Sequence, residues 1–291
     1  MPFAVLYGTC ILPPVTLSVV IITHNEEANL GRSLESVGLY ADARRNYTEV
    51  IVVDSGSTDR TVEIAKLFGA KVFIEEWKGY AAQKNSAIDK ATGNWILSLD
   101  ADEALTPELL DEIGSAIASQ GLLRPEQPAD RPVFVDAFSM PRQNLFLRRL
   151  IRHGGFWPDR KIRLFRKGKG HFAVRPVHES VQVNGRVGKL KAPILHHSYP
   201  TLSDYIEHMN RYSSLGAQMV VADRGGKVRF SVINIVLRPL TTFIYNYFFR
   251  LGFLDGREGL LLHLYHAVYV SWKYGKAWEL SREKSPDRPV V

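Results

Sequence analysis

The sequence predicts an α/β fold, a Rossmann-like mixed but mainly parallel sheet with flanking helices, followed by C-terminal amphipathic helices. Three observations predict it. Short apolar strand runs alternate with helical patterns four times before residue 110. Three of those runs end in polar groups (Thr23/Asn25/Glu26, Asp54 and Asp100/Asp102), where sheets of this kind line a ligand crevice. From Thr201 onward the strand pattern gives way to helical spacing.

Residues 1–14 end in Pro13-Pro14 and read as a loosely attached lead-in. Leu17 to Ile22 is a continuous, largely β-branched run, the pattern of a strand covered on both faces. Asn25 is placed to N-cap a helix through Ala28, Leu30, Leu34 and Val37. Glu49 to Asp54 is the second strand, Thr61 to Phe68 a helix closed by Gly69, and Lys71 to Ile74 the third strand. Gly79 to Ala91 is helical, Trp95 to Leu99 is the fourth strand, and Thr106-Pro107-Glu108 opens a helix with proline at its first position. The stretch Asp100-Ala101-Asp102 can converge on one hard cation, which takes carboxylates plus substrate phosphates. It reads equally as an Asp-rich turn capping the next helix.

Composition bounds the function. At 45% apolar and 23% charged residues the 291-residue chain is a folded protein. Cys10, the single cysteine, excludes an internal disulfide and any multi-cysteine zinc site. Residues 1–17 lack the basic start of a secretory signal, and no stretch of about 20 apolar residues runs uninterrupted, so no membrane span is expected. The net charge of +7 is unevenly spread: −9 over residues 1–141, +12 over 142–200 and +4 over 201–291. The basic middle suits a phosphorylated substrate, an anionic membrane or nucleic acid. No RNA-binding signature or zinc-finger spacing occurs, so nucleic acid is not an expected partner. Neither Gly-x-Gly-x-x-Gly nor a P-loop occurs, which disfavours a dinucleotide-binding domain and a P-loop NTPase.

Four segments in fixed order, Ser18 to Glu26, Val52 to Asp59, Gly79 to Asn85 and Leu99 to Glu103, resemble the family 2 glycosyltransferases with the GT-A fold. The resemblance implies a nucleotide-sugar donor, a divalent cation (Mg²⁺ or Mn²⁺) and inverting transfer. It implies that Thr23, Asn25 and Glu26 form the nucleoside-binding loop. Asp54 would accept a hydrogen bond from the nucleobase, and Lys84 would lie near base or phosphates. Asp102 would be the direct metal ligand, with Asp100 beside the ribose and the metal-bound waters.

In the basic segment Val133 to Ser139 and Lys161 to Arg166 read as strands, the second half-exposed because charged and apolar residues alternate. Inverting transfer needs a base for the acceptor proton, and Asp159 and Glu179 are the only acids between residues 142 and 200. A subgroup of the family shares Trp157-Pro158-Asp159, Arg163-Leu-Phe-Arg166 and Val177-His178-Glu179. That resemblance puts Glu179 in the place of the base, with Asp159 as runner-up, and Trp157 and Arg163 among the substrate contacts. His197, after a strand Pro193 to Leu195, is a weak candidate to approach the metal.

Thr201-Leu-Ser-Asp204 starts a helix that Gly225-Gly226 ends. Arg229 to Arg250 is apolar but broken by Arg238-Pro239, which disfavours a span and suits a helix lying in a membrane interface. Leu251 to Gly259 reads as a turn, Leu260 to Trp278 as a last helix, and the residues after Ser281 as a tail. The expected organisation is a catalytic domain over 1–200, with a nucleotide-sugar half at 15–120 and an acceptor half at 133–200, and a helical, membrane-surface region over 201–291. The layout resembles the bacterial lipopolysaccharide core-biosynthesis glucosyltransferases. It implies transfer of glucose from UDP-glucose to a phosphorylated glycolipid, an inner-core heptose, by a cytoplasmic protein peripheral on the inner face of the cytoplasmic membrane. A polyprenyl-phosphate sugar transferase, or a non-catalytic nucleotide-sugar-binding or scaffold protein, stays open as an alternative.

Overall fold

The computed structural model describes residues 17–38, 48–121, 134–173 and 180–283. Its first half follows the predicted alternation: β1 (Leu17–Thr23), α1 (Leu30–Gly38), β2 (Thr48–Asp54), α2 (Thr61–Leu67), β3 (Lys71–Ile74), α3 (Tyr80–Lys90) and β4 (Trp95–Asp100). The four strands lie in the order β3-β2-β1-β4, all parallel. The two-residue period of a strand divides their apolar side chains between two cores. Val19, Ile21, Leu97 and Leu99 pack with Leu30 and Leu34 of α1 on one face, while Val20, Ile51, Val53 and Ile96 pack with Ala87 and Ile88 of α3 on the other. This explains why β1 carries no polar face.

The second half continues with β5 (Glu103–Leu105), α4 (Pro107–Gly121), β6 (Ala137–Phe146), β7 (Arg149–Leu150), β8 (Asp159–Arg166), β9 (Gly170–Phe172), β10 (Val181–Val183), β11 (Val187–Lys189) and β12 (Ile194–Tyr199). The sheet extends from β4 through β8, β6 and β12 to β5. β8 runs antiparallel to both of its neighbours, and β12 runs parallel to β6. The sheet is thus mixed but mainly parallel around the crevice.

β8 corrects the expectation of a half-exposed strand. It sits mid-sheet, and of its charged residues Arg163 is buried and Arg166 half-buried, while Arg160 stays exposed. Arg163 is ion-paired, and the Arg166 guanidinium lies over the rings of Phe134 and Trp95 at 4.2 and 4.7 Å. Arg160 donates to the carbonyls of Ser139 and Leu190. Part of the basic segment's charge therefore holds the sheet together instead of forming a free anion-binding surface.

Beyond residue 200, α5 (Leu202–Asp223) starts on a capping box between Thr201 and Asp204. A run of wider π-type turns (Ile233–Leu237 and Tyr245–Phe249) brackets α6 (Arg238–Ile244), and α7 (Gly256–Glu283) closes the chain. The helix α7 begins four residues earlier than its apolar pattern suggests, directly after a 3₁₀ turn at Gly252–Asp255. No described helix is long and apolar enough to cross a membrane. The C-terminal helices share a core with the sheet: Phe146 and Ile151 pack with Tyr205 of α5 and Leu262 of α7.

The turn at residues 152–156 locks this union. Buried Asp255 accepts from the amides of Arg152 and His153 and pairs with the His153 ring at 2.9 Å. Gly154 has φ +69°, and a Cβ there would lie 2.0 Å from the His263 ring. Only glycine meets both conditions at this contact.

Candidate active site

Register brings the three polar strand ends to one edge. Thr23 pairs with Asp54, and Ile22 with Asp100, so the loops that follow face one crevice. The Glu26 carboxyl reports the convergence: burial pushes it up, and Asp102 and Asp100 push it further, against a hydrogen bond from Asn29.

The first loop is built around Asp54. Its fully buried carboxylate accepts from the Thr23 hydroxyl at 2.8 Å, the Ser57 hydroxyl at 2.5 Å and the amides of Gly56 and Ser57 at 3.0 and 2.8 Å. The resemblance implies that Asp54 meets a nucleobase; here its oxygens also shape the loop, together with the Thr23 hydroxyl. Asn25 is also not the N-cap expected of it, because α1 begins at Leu30. Asn25 instead takes a left-handed backbone (φ 54°), which Asn tolerates better than most residues. Its side-chain oxygen accepts from the Thr58 amide at 2.9 Å, and its amide donates to Ser57, so it latches the two loops together.

The second cluster surrounds the acidic pair. Lys84 lies 2.7 Å from Asp100 Oδ1 and 5.0 Å above the Phe172 ring. Arg163 bridges Asp100 Oδ2 at 2.5 Å and Glu103 Oε1 at 2.6 Å. Glu103 is fully buried and also accepts from the Asp100 amide. Burial opposes the charge on Asp100, yet Arg163 and Lys84 outweigh it and hold the carboxyl well below the usual aspartate range. Asp100 thus has both oxygens engaged by cations. Arg163, 5% exposed, is its buried counter-ion.

Asp102 is different. It is partly exposed, and its Oδ2 lies 3.1 Å from His196 Nε2 on β12. The other ring nitrogen, Nδ1, is 2.7 Å from Asn144 Oδ1 and 2.8 Å from the Ser198 hydroxyl. Carboxylate plus imidazole is a donor set that suits Mn²⁺, so these residues fit the implied metal. Among the described residues no group of three or more His, Cys, Asp or Glu side chains could hold a metal alone. The remaining ligands would come from substrate phosphates and water.

His196 is the residue that sequence reasoning missed. The weak candidate there was His197, whose backbone amide donates to the Asp102 carbonyl. Strand parity could have decided between them. Buried Ile194 points to the core side, and His196, two residues on, shares its side of the strand and pairs with Glu103 of β5.

Trp157 lies half-buried in the turn before β8, joined to Pro158 by a cis peptide, and takes no part in this cluster. Asp159 pairs with Arg142 at 2.7 Å and Lys161 at 2.9 Å. Burial would raise its carboxyl, but the two cations hold it low. Glu179, with His178, lies outside the described residues.

Residues 18–121 match the family model "Glycosyl transferase family 2". An uncharacterized glycosyltransferase of Rickettsia typhi is 33% identical over 91% of this chain and 87% of its own length. The lipopolysaccharide core biosynthesis glycosyltransferase LpsC of Rhizobium meliloti is 30% identical over 96% of this chain and 97% of its own. A solved structure, a mannosyltransferase from Pyrobaculum calidifontis in complex with GDP-Man and Mn²⁺, covers 94% of this chain and 76% of its own at 15% identity and a TM-score of 0.47. With two relatives matched almost end to end and the family model matched over residues 18–121, the chain belongs to the family 2 glycosyltransferases.

Proposed function

We propose that the protein is an inverting glycosyltransferase that moves a hexose, glucose from UDP-glucose, onto a glycolipid, the inner-core heptose of lipopolysaccharide. The observation that carries this reading is the partly exposed Asp102–His196 pair beside a neutralised Asp100, at the crevice end of parallel strands. Asp102 and His196 would hold Mg²⁺ or Mn²⁺, which when bound neutralises charge gathering on the departing pyrophosphate. The rest falls to the chain. Lys84 and Arg163 fix Asp100, so the floor beneath Asp102 does not shift as charge moves above it. The Asn25 latch holds the loop that meets the nucleoside.

The acceptor hydroxyl oxygen attacks the anomeric carbon, and the bond from that carbon to the pyrophosphate oxygen breaks. The hydroxyl proton passes to the Glu179 carboxylate, leaving the inverted glycoside and a nucleoside diphosphate. The weakness of the alternative base supports Glu179: Asp159, held low by Arg142 and Lys161, is a poor proton acceptor. Glu179→Gln is expected to lose about 10²–10⁴-fold in kcat while donor binding persists; retained activity with an unchanged pH–rate profile would remove Glu179 from the role.

A lipid-borne acceptor is supported by the C-terminal surface. Fifteen of the twenty-three exposed large apolar side chains among the described residues fall between Phe230 and Leu264. Exposed Arg229, Arg238, Arg250 and Arg257 stud the same stretch. An exposed apolar stretch studded with arginines suits a protein seated on the anionic inner face of the cytoplasmic membrane. The reading is tested by screening nucleotide sugars for metal-dependent thermal stabilisation, then assaying transfer to lipopolysaccharide truncated after its inner-core heptose. If no nucleotide sugar stabilises the fold with Mn²⁺ or Mg²⁺, the reading fails.

A further inference from the structure

Next to His196 lies a cavity of about 210 Å³. Its lining combines polar Arg142, Asn144, Asp159, His196, Ser198 and Tyr199 with apolar Phe146, Ile151, Phe156 and, from α7, Leu262. The volume is below the roughly 300–1,000 Å³ of a drug-sized ligand site, which gives room for one ring and not for a nucleotide.

We infer that this cavity is the subsite for the acceptor sugar, and that the C-terminal helices complete it. The inference rests on the transfer reading above and extends it to the acceptor. The chemistry of the lining identifies the occupant. A sugar ring has hydroxyls round its edge and C–H groups on its faces, so it needs hydrogen-bonding groups on one side and a flat apolar surface on the other. A lipid phosphate would need an uncommitted cation. The one guanidinium here, Arg142, is engaged by Asp159 at 2.7 and 3.0 Å and faces Glu103 at 3.6 Å. Asn144 Oδ1 and Ser198 Oγ lie 2.7 and 2.8 Å from His196 Nδ1, and the Asn144 amide nitrogen and the Ser198 and Tyr199 hydroxyls are the groups a sugar hydroxyl would meet. Location agrees: His196 belongs both to the cavity and to the Asp102 pair, so a ring seated here abuts the place where the donor's pyrophosphate would be held.

The apolar part of the lining is a product of the C-terminal region. Leu262 comes from α7 itself, and the Phe156 ring is held by the rings of His263 and His266, both on α7, at centroid distances of 5.6 and 5.8 Å. Leu260 and Leu264, four residues apart and so on one face of α7, are exposed, while Leu262 between them faces inward. The cavity and the apolar outer surface are thus two sides of one helix, about 10 Å apart. A sugar anchored to lipid could enter the cavity while its acyl chains stay in the bilayer.

The test measures kinetics on heptose-terminated truncated lipopolysaccharide and its deacylated form, with direct binding of both to UDP-loaded protein. Leu262→Phe, which fills the cavity, and Phe156→Ala, which removes the flat ring, are expected to raise the acceptor KM at least tenfold for both forms. The donor KM should move less than twofold, and Phe156→Tyr should restore the acceptor KM. An unchanged acceptor KM in Leu262→Phe, a parallel rise in donor KM, or no saturable binding of either glycolipid to UDP-loaded wild type overturns the assignment. Loss of UDP-sugar binding by the wild type itself would instead undo the transfer reading. Should Phe156→Ala fail to fold, Leu262→Phe alone decides.

Discussion

Replacing Arg163 tests whether the acidic pair is divided as described. One guanidinium nitrogen, Nη2, lies 2.5 Å from Asp100 and 2.6 Å from fully buried Glu103. Removing one partner of a buried ion pair costs roughly 3–5 kcal/mol, because the other charge is left uncompensated. Here each carboxylate keeps one other cation: Lys84 at 2.7 Å for Asp100, and the more distant Arg142, at 3.6 Å, for Glu103. The loss in Arg163→Met should therefore fall near the lower end, about 3 kcal/mol. That corresponds to a Tm lowered by roughly 6–12 °C for a protein of this size. Urea titration with an unchanged m-value gives the number directly. If Arg163→Met costs less than about 1 kcal/mol, the typical yield of an exposed pair, Arg163 is not the counter-ion of a buried cluster. The assignment of two cations to Asp100 would fall with it.

Three further outcomes follow from the same geometry. His196→Ala should weaken Mn²⁺ binding in the presence of UDP more than about a hundredfold, beyond the roughly 10–100-fold that loss of an outer-shell partner costs; His197→Ala, which keeps its backbone bond to Asp102, should not. Burial, then His266, pushes the His263 ring down to about 4 despite Asp255, so the fold needs it neutral. The stability it contributes is whole above the unfolded pKa near 6.5 and is lost as pH falls toward 4, by at most roughly 3 kcal/mol; His263→Phe should flatten that part of the acid limb, and an unaltered slope would count against it. Phe249→Glu or Leu240→Glu should abolish sedimentation with anionic vesicles, and binding by the wild type should weaken with salt at about 1 kcal/mol for each arginine near the surface; salt-independent binding would point to a dimer face.

What the sequence made legible was local in character. The β1 to β4 alternation, the Gly69 and Gly225-Gly226 stops and the Thr201 cap each depend on residues within one turn, and all stand where the pattern puts them. What it hid was long-range. Lys161 to Arg166 looks like a solvated edge because nothing nearby in sequence can neutralise Arg163; its partners lie 60 and 63 residues away. Asn25 looks like a cap because the alternative, a latch to Thr58, spans 33 residues. The Asp100-Ala101-Asp102 motif looks symmetric, and only the third dimension gives one carboxylate two cations and the other a histidine.

That asymmetry bears on how the family's chemistry could work here. A site with two free carboxylates would carry two negative charges beside a pyrophosphate until a metal arrived. This site carries nearly one, because Lys84 and Arg163 have already answered Asp100. Asp102 and His196 together offer one negative charge and one neutral donor, a modest ligand set that leaves most of a divalent ion's coordination to the substrate. Metal and donor would then bind as a unit and leave as one, since neither is held well without the other. The strength of Mn²⁺ binding should rise steeply when UDP is present, and the same coupling must appear, by reciprocity, as tighter UDP binding when Mn²⁺ is present. Equal Mn²⁺ affinity with and without UDP would mean that the protein holds the ion by itself, and that a ligand other than Asp102 and His196 is at work.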